Sequence, residues 1–200
     1  MTREMLFALA LGYLLGSIPF GFLLTRFAGK GDVREIGSGS IGATNVLRTG
    51  SKPLAAATLV LDCLKATAAV LIAQHLIGPE TGAAAGAGAV IGHLYPAWLK
   101  FHGGKGVATV LGVLVPLLWQ AAAVYAAVWL ILLLTTRISS VAGIAAALSA
   151  PVTAFILKDV ALFPMLLGFA LLIIWKHREN ILRLRKGTEP RIGSKTSSTA

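Results

Sequence analysis

An all-α integral membrane protein of seven transmembrane helices is the fold this sequence predicts, and three observations predict it. Hydrophobic residues make up 56% of the 200 residues and charged residues only 13%, against roughly 25% charged in a soluble domain. The apolar residues fall in runs close to the about 20 needed to cross a bilayer as a helix. Lys and Arg lie between the runs, the placement that orients helices in a membrane. The same composition excludes a disordered chain, and a single cysteine, Cys63, excludes a disulfide scaffold. A net charge of +10 would suggest nucleic acid in a soluble protein. Between apolar runs it points instead to anionic groups and membrane lipids, and no nucleic-acid partner is expected.

Residues 6–27 form the first apolar run, read as a retained helix because Ala8-Leu9-Ala10 comes too early for a cleavage site. The second covers 54–77. The third, 82–99, is rich in Gly and Ala, residues that let helices approach closely in lipid. Its 82–92 stretch is expected to border a groove for an apolar chain. The run 107–134 would measure about 42 Å as one helix, more than the bilayer core needs. Pro116 near its middle predicts two short helices that turn over 116–120. Runs 140–157 and 160–175 follow, parted by Lys158-Asp159. With seven helices and the N-terminus outside, fifteen of the eighteen Lys and Arg fall on the inner side. Six helices would put either the first basic loop or the tail outside, so charge favours seven, with the C-terminus cytoplasmic. The membrane domain is expected over 1–193 and a disordered tail over 194–200.

Everything chemically suggestive falls on that inner side. The first inner loop reads Gly37-Ser38-Gly39-Ser40-Ile41-Gly42-Ala43-Thr44-Asn45, with Arg48 close behind. Its glycines let backbone N–H groups converge on an oxyanion, and a guanidinium grips phosphate with two hydrogen bonds. A flexible linker rarely mixes Arg, Asn and Thr so densely. The second inner loop carries His93-Leu94-Tyr95-Pro96 and then Gly103-Gly104-Lys105-Gly106, which opens a helix. Unsatisfied N–H groups, the helix dipole and Lys105 favour an anion there. It is no Walker A motif, because Lys100 replaces the first glycine. Two such cradles imply two phosphorylated substrates, or one substrate with two phosphates. In the tail, His177 and Asn180 are spaced i, i+3 on one helix face. His177 either accepts a proton or orients a hydroxyl. Glu189 is expected to pin the tail. Asp62 and Lys65, inside a membrane helix, pair with each other and support the neighbouring loops. The four histidines show no metal-ligand spacing, so no metal and no cofactor is expected. No Gly-x-Ser-x-Gly elbow occurs either.

Together the three motifs resemble the acyl-phosphate-dependent glycerol-3-phosphate acyltransferases of bacterial membranes, the PlsY family. Its members carry Gly-Ser-Gly-Asn-x-Gly-Ala-Thr-Asn, then His-x-x-Pro with Gly-Gly-Lys-Gly-Val-Ala-Thr, then Trp-Lys-His-x-x-Asn-Ile-x-Arg-Leu-x-x-Gly-x-Glu. Ser40 stands where the family usually has asparagine. The resemblance implies transfer of a fatty acyl group from acyl phosphate to the 1-hydroxyl of glycerol 3-phosphate, giving lysophosphatidic acid and inorganic phosphate. It implies catalytic roles for Ser38, Arg48, Lys105, His177 and Asn180. Substrate binding falls to Gly39, Ser40, Gly42, Asn45, Gly103, Gly104, Gly106 and Ser140. Structural support falls to Asp62, Lys65 and Glu189. It further implies a monomer of the bacterial cytoplasmic (inner) membrane, its active site facing the cytoplasm, coupled to an upstream enzyme that forms acyl phosphate. Proton removal falls either to His177 or to a substrate phosphate. Two rivals are a transporter of a phosphorylated solute and a scaffold that binds anionic lipids. The first predicts repeated halves and a midplane site, neither of which the sequence shows.

Overall fold

The computed structural model describes residues 2–193, and the tail expected to be disordered lies outside them. The described chain is helical: α1 (Arg3–Gly16), α2 (Phe20–Phe27), α3 (Ala43–Leu47), α4 (Lys52–Leu76), α5 (Gly82–Leu94), α6 (Val107–Leu117), α7 (Trp119–Thr136), α8 (Ser139–Ile156), α9 (Phe163–Lys176) and α10 (Arg178–Arg185). Four stretches are long and apolar enough to cross a membrane: Arg3–Phe27, Lys52–Leu76, Trp119–Thr136 and Ser139–Ile156. Large apolar side chains such as Phe7, Leu76, Phe155 and Val160 stand exposed on the outer faces. A surface of that kind suits lipid rather than water.

The first run departs from a continuous helix. It breaks at Ser17-Ile18-Pro19, where Pro19 has no N–H to continue the ladder. The break leaves carbonyls that other elements take up. Trp98 Nε1 donates to Ser17 O at 2.7 Å and Lys65 Nζ donates to Ile18 O at 2.8 Å. The third run is also shorter than 82–99. α5 stops at Leu94, ahead of Pro96, and a 3-10 turn over Ala97–Leu99 follows. Tyr13 on α1 clamps this turn: its hydroxyl donates to Tyr95 O and accepts from Ala97 N.

The Gly and Ala of α5 serve α1. A Cβ on Gly88 or Gly92 would strike the backbone of Leu9 and Tyr13, and one on Gly12 or Gly16 would strike Ala85 and Ala89. The two backbones therefore touch along a seam, which fills the place where a groove beside residues 82–92 was expected.

The long fourth run does break in two, at Leu118. Tyr125 Oη on α7 donates to Val107 O at the start of α6, so the two helices run antiparallel. α7 and α8 form a tight hairpin through Arg137, which adopts the left-handed conformation that ends α7. One large core joins α4 through α9 around Val70, Leu114, Tyr125, Leu166 and Ile173. A smaller core of Val33, Ile41, Val46, Ala55 and Leu99 lies beneath the first inner loop. That loop is thus folded on its own apolar floor and is no linker.

Candidate active site

The three motifs converge on one cavity. Its wall includes Ser38, Ser40, Gly42, Asn45 and Arg48 from the first loop, and Lys105 and Gly106 from the second. Ser140 at the start of α8 and His177 and Asn180 from the tail complete the polar part. Leu59, Val107, Ala108 and Trp129 supply an apolar side. Of the residues singled out in the sequence, Gly39, Gly103, Gly104, Lys65 and Glu189 stand outside the wall.

The first loop is shaped by a side chain rather than by regular structure. Asn45 is buried, and its Nδ2 donates to the carbonyls of Val33 (2.7 Å), Ile36 (3.0 Å) and Ser40 (2.8 Å). Its Oδ1 accepts from Ser38 N at 3.1 Å and Arg48 Nη1 at 3.3 Å. These bonds spend the amide, so Asn45 braces the loop where it was expected to bind substrate. Gly37 was not foreseen as a site residue. Its φ is +56°, and a Cβ there would meet Arg48 and Asn45, so glycine alone fits. Ser38 Oγ has no partner among the described residues and faces the cavity.

In the second loop Gly106 has φ +88° and caps α6, whose first turn opens on the cavity beside Lys105. Dipole and ammonium therefore act on the same space. Gly103 and Gly104 do something else. A Cβ on Gly103 would strike His93 O, a Cβ on Gly104 would strike the His93 ring, and Gly104 N donates to His93 O at 3.0 Å. They seat the loop on the end of α5, and the Gly104 amide is engaged by His93.

The tail closes the site through a hydrogen-bonded hub. Lys105 Nζ donates to Asn180 Oδ1 at 2.5 Å, and Asn180 Nδ2 donates to Glu189 Oε1 at 2.6 Å. Ser140 Oγ donates to the same oxygen at 2.7 Å, and Arg183 Nε donates to Glu189 Oε2 at 2.8 Å. Arg183 escaped the sequence reading, although it continues the i, i+3 series of His177 and Asn180. Burial alone would raise the Glu189 carboxyl, but bonds from Asn180, Ser140 and Arg183 outweigh it and hold the group below its ordinary value. Loss of hydration lowers the Lys105 ammonium to about 8, Glu189 opposing.

His177 Nδ1 lies 2.8 Å from Ile173 O, an acceptor, so Nδ1 carries the proton and Nε2 is a bare acceptor. Burial, reinforced by Lys105, lowers its pKa to about 4. The ring is neutral at physiological pH, which suits accepting a hydroxyl hydrogen bond better than removing a proton.

Asp62 and Lys65 pair at 2.6 Å. Lys65 also reaches His93 Nδ1 at 3.0 Å, a third partner invisible in i, i+3 spacing.

Fold and cleft together define a multi-pass membrane protein with a cationic cleft formed by three loop motifs. The glycerol-3-phosphate acyltransferase family matches residues 6–187, and the chain belongs to it. The glycerol-3-phosphate acyltransferase of Mesorhizobium japonicum is 56% identical over 195 residues, covering 98% of this chain and all of that protein. Two crystal structures of PlsY, an integral membrane glycerol 3-phosphate acyltransferase, superpose closely. Its glycerol 3-phosphate form has a TM-score of 0.88 at 40% identity, covering 94% of this chain and 96% of that one. Its lysophosphatidic acid form has a TM-score of 0.85 at 40% identity, covering 94% and 95%. The protein is an acyltransferase.

Proposed function

We propose that this enzyme transfers a fatty acyl group from acyl phosphate to the 1-hydroxyl of sn-glycerol 3-phosphate, releasing inorganic phosphate and lysophosphatidic acid. The observation that carries this is the meeting of Arg48, Lys105 and the N-terminus of α6 in one cleft with an apolar side. Two phosphates brought together repel, and two cations with a helix dipole offset that repulsion. Acyl phosphate is a mixed anhydride with a good leaving group, so held geometry and charge stabilisation suffice. Ser38, Arg48, Lys105, His177 and Asn180 touch the reactants. Ser40, Gly42, Gly106 and Ser140 line their berth. Glu189, Asp62 and Lys65 hold these groups in place, as Asn45, Gly103 and Gly104 do through the contacts above. Nε2 of His177 accepts the hydrogen bond of the attacking hydroxyl, and a substrate phosphate takes the proton, because a histidine held near 4 is too weak a base.

The chain crosses the inner membrane seven times, N-terminus outside, with the cleft in the cytoplasm and one chain forming the unit. Charge placement and the α6–α7 turn support that count. Product-forming flux draws on an enzyme that makes acyl phosphate. The test of function is purified protein with a defined acyl phosphate, measuring phosphate release with and without glycerol 3-phosphate. Release that requires glycerol 3-phosphate is expected; none from folded protein would end the reading. Impermeant thiol reagents on single-cysteine variants of each loop test the topology.

A further inference from the structure

A buried cluster under the cleft is left unused by the reaction as described. Lys65 Nζ donates to Asp62 Oδ1 (2.6 Å), Ile18 O (2.8 Å) and His93 Nδ1 (3.0 Å), one hydrogen for each acceptor. Asp62 Oδ1 is 3.6 Å from His93 Nδ1, beyond hydrogen-bond reach. An ammonium paired with a carboxylate only donates, so Nδ1 is bare and the neutral ring carries its proton on Nε2. His93 is 3% exposed and belongs to the cavity wall. Its Nε2 has no partner among the described residues. A Cβ on Gly104 would fall on that nitrogen, so the ring can take this place in the wall only beside a glycine.

We propose that His93 Nε2–H donates to the acyl carbonyl oxygen of the bound donor and stabilises the charge that oxygen gains during transfer. The inference deepens the acyl-transfer reading and rests on it. Arg48 and Lys105 are the charged partners for phosphates, whereas the carbonyl is neutral and lies between phosphate and chain. A neutral donor suits it. His93 ends α5 and shares its wall with Leu59 and Asp62 of the long apolar helix α4. As the hydroxyl oxygen bonds to the acyl carbon, its proton passes to a phosphate oxygen and the carbonyl electron pair moves onto oxygen, against Nε2–H. The pair returns as the carbon–oxygen bond to phosphate breaks, and phosphate leaves with that bonding pair. The imidazole begins and ends neutral. Lys65, held by Asp62, is a positioning residue that fixes the tautomer.

His93→Phe keeps a ring and removes the donor. Its kcat is expected to fall about 100-fold, as for loss of an oxyanion donor, with the KM for glycerol 3-phosphate within about twofold and the thermal midpoint kept. His93→Gln, which offers an amide donor, is expected to recover about tenfold of that loss. A kcat for His93→Phe within about threefold of wild type, or equal rates for Phe and Gln, overturns the proposal. Should the Phe variant fail to fold, 15N-histidine spectra of protein carrying His75→Gln and His102→Gln decide. His177 and His93 are then opposite tautomers, and the Nε2–H signal is expected to shift when a non-hydrolysable acyl phosphonate binds. Absence of an Nε2–H tautomer, or of any shift, overturns the proposal. Wild-type protein that releases no phosphate would sink the acyl-transfer reading itself, a result distinct from an active wild type with an indifferent His93→Phe.

Discussion

Glycine does opposite work in two regions of this molecule. Along the α1–α5 seam, Gly12, Gly16, Gly88 and Gly92 are ordinary helical residues whose missing side chains let two backbones touch. In the motif loops, Gly37 and Gly106 carry positive φ, and Gly104 gives the His93 ring room to lie against its backbone. The seam needs space and nothing else. The loops need particular backbone angles and particular free polar atoms. Change at the seam should therefore cost stability with chemistry intact, and change at the cleft should cost chemistry with stability intact.

The largest break in that contrast would come from Asn180→Ala. Asn180 links Lys105 to Glu189 and lines the cleft, so kcat/KM is expected to fall about 10²–10³-fold with an unchanged melting midpoint in detergent. Arg48→Ala should match it. Parallel loss of folded protein would move both residues into the structural class. Next comes the seam. Gly88→Val forces a branched side chain against Leu9 and Tyr13, and overpacking of this kind costs about 1–3 kcal/mol. A lowered midpoint with near-normal activity per folded molecule is the expected result. Glu189→Gln comes third. It keeps one acceptor oxygen but loses the charge facing Arg183, so about a tenfold fall in kcat/KM is expected, read by steady-state kinetics. The smallest effect is pH. Lys105 titrates at about 8, so its ammonium is present below that value and lost above it. KM for glycerol 3-phosphate should rise severalfold from pH 7 to 9 while kcat changes less, and Lys105→Arg should abolish the rise.

The sequence made the cleft legible better than the helices. Ser38, Arg48, Lys105, Ser140, His177 and Asn180 announce themselves because such residues are out of place beside apolar runs, and all six reach one cavity. Asp62 and Lys65 were readable as a pair for the same reason. Contacts distant in sequence were hidden. Nothing local reveals that Gly103 and Gly104 rest on His93, or that Lys65 has a third partner 28 residues away. Asn45 looked like a ligand because a side chain that braces its own loop has the same composition as one that binds. The break at Ser17-Ile18-Pro19 was masked by unbroken hydropathy: Trp98 and Lys65 satisfy the freed carbonyls, so no polar residue was needed nearby. The glycines of α5 suggested a groove because close packing and open space favour the same small residues.

If the cleft works by holding both anions at once, order of addition leaves a signature. Initial rates measured against both substrates should give lines that intersect, since acyl phosphate and glycerol 3-phosphate occupy the enzyme together before phosphate departs. Parallel lines, with phosphate released before glycerol 3-phosphate binds, would reveal an acylated enzyme and contradict the account.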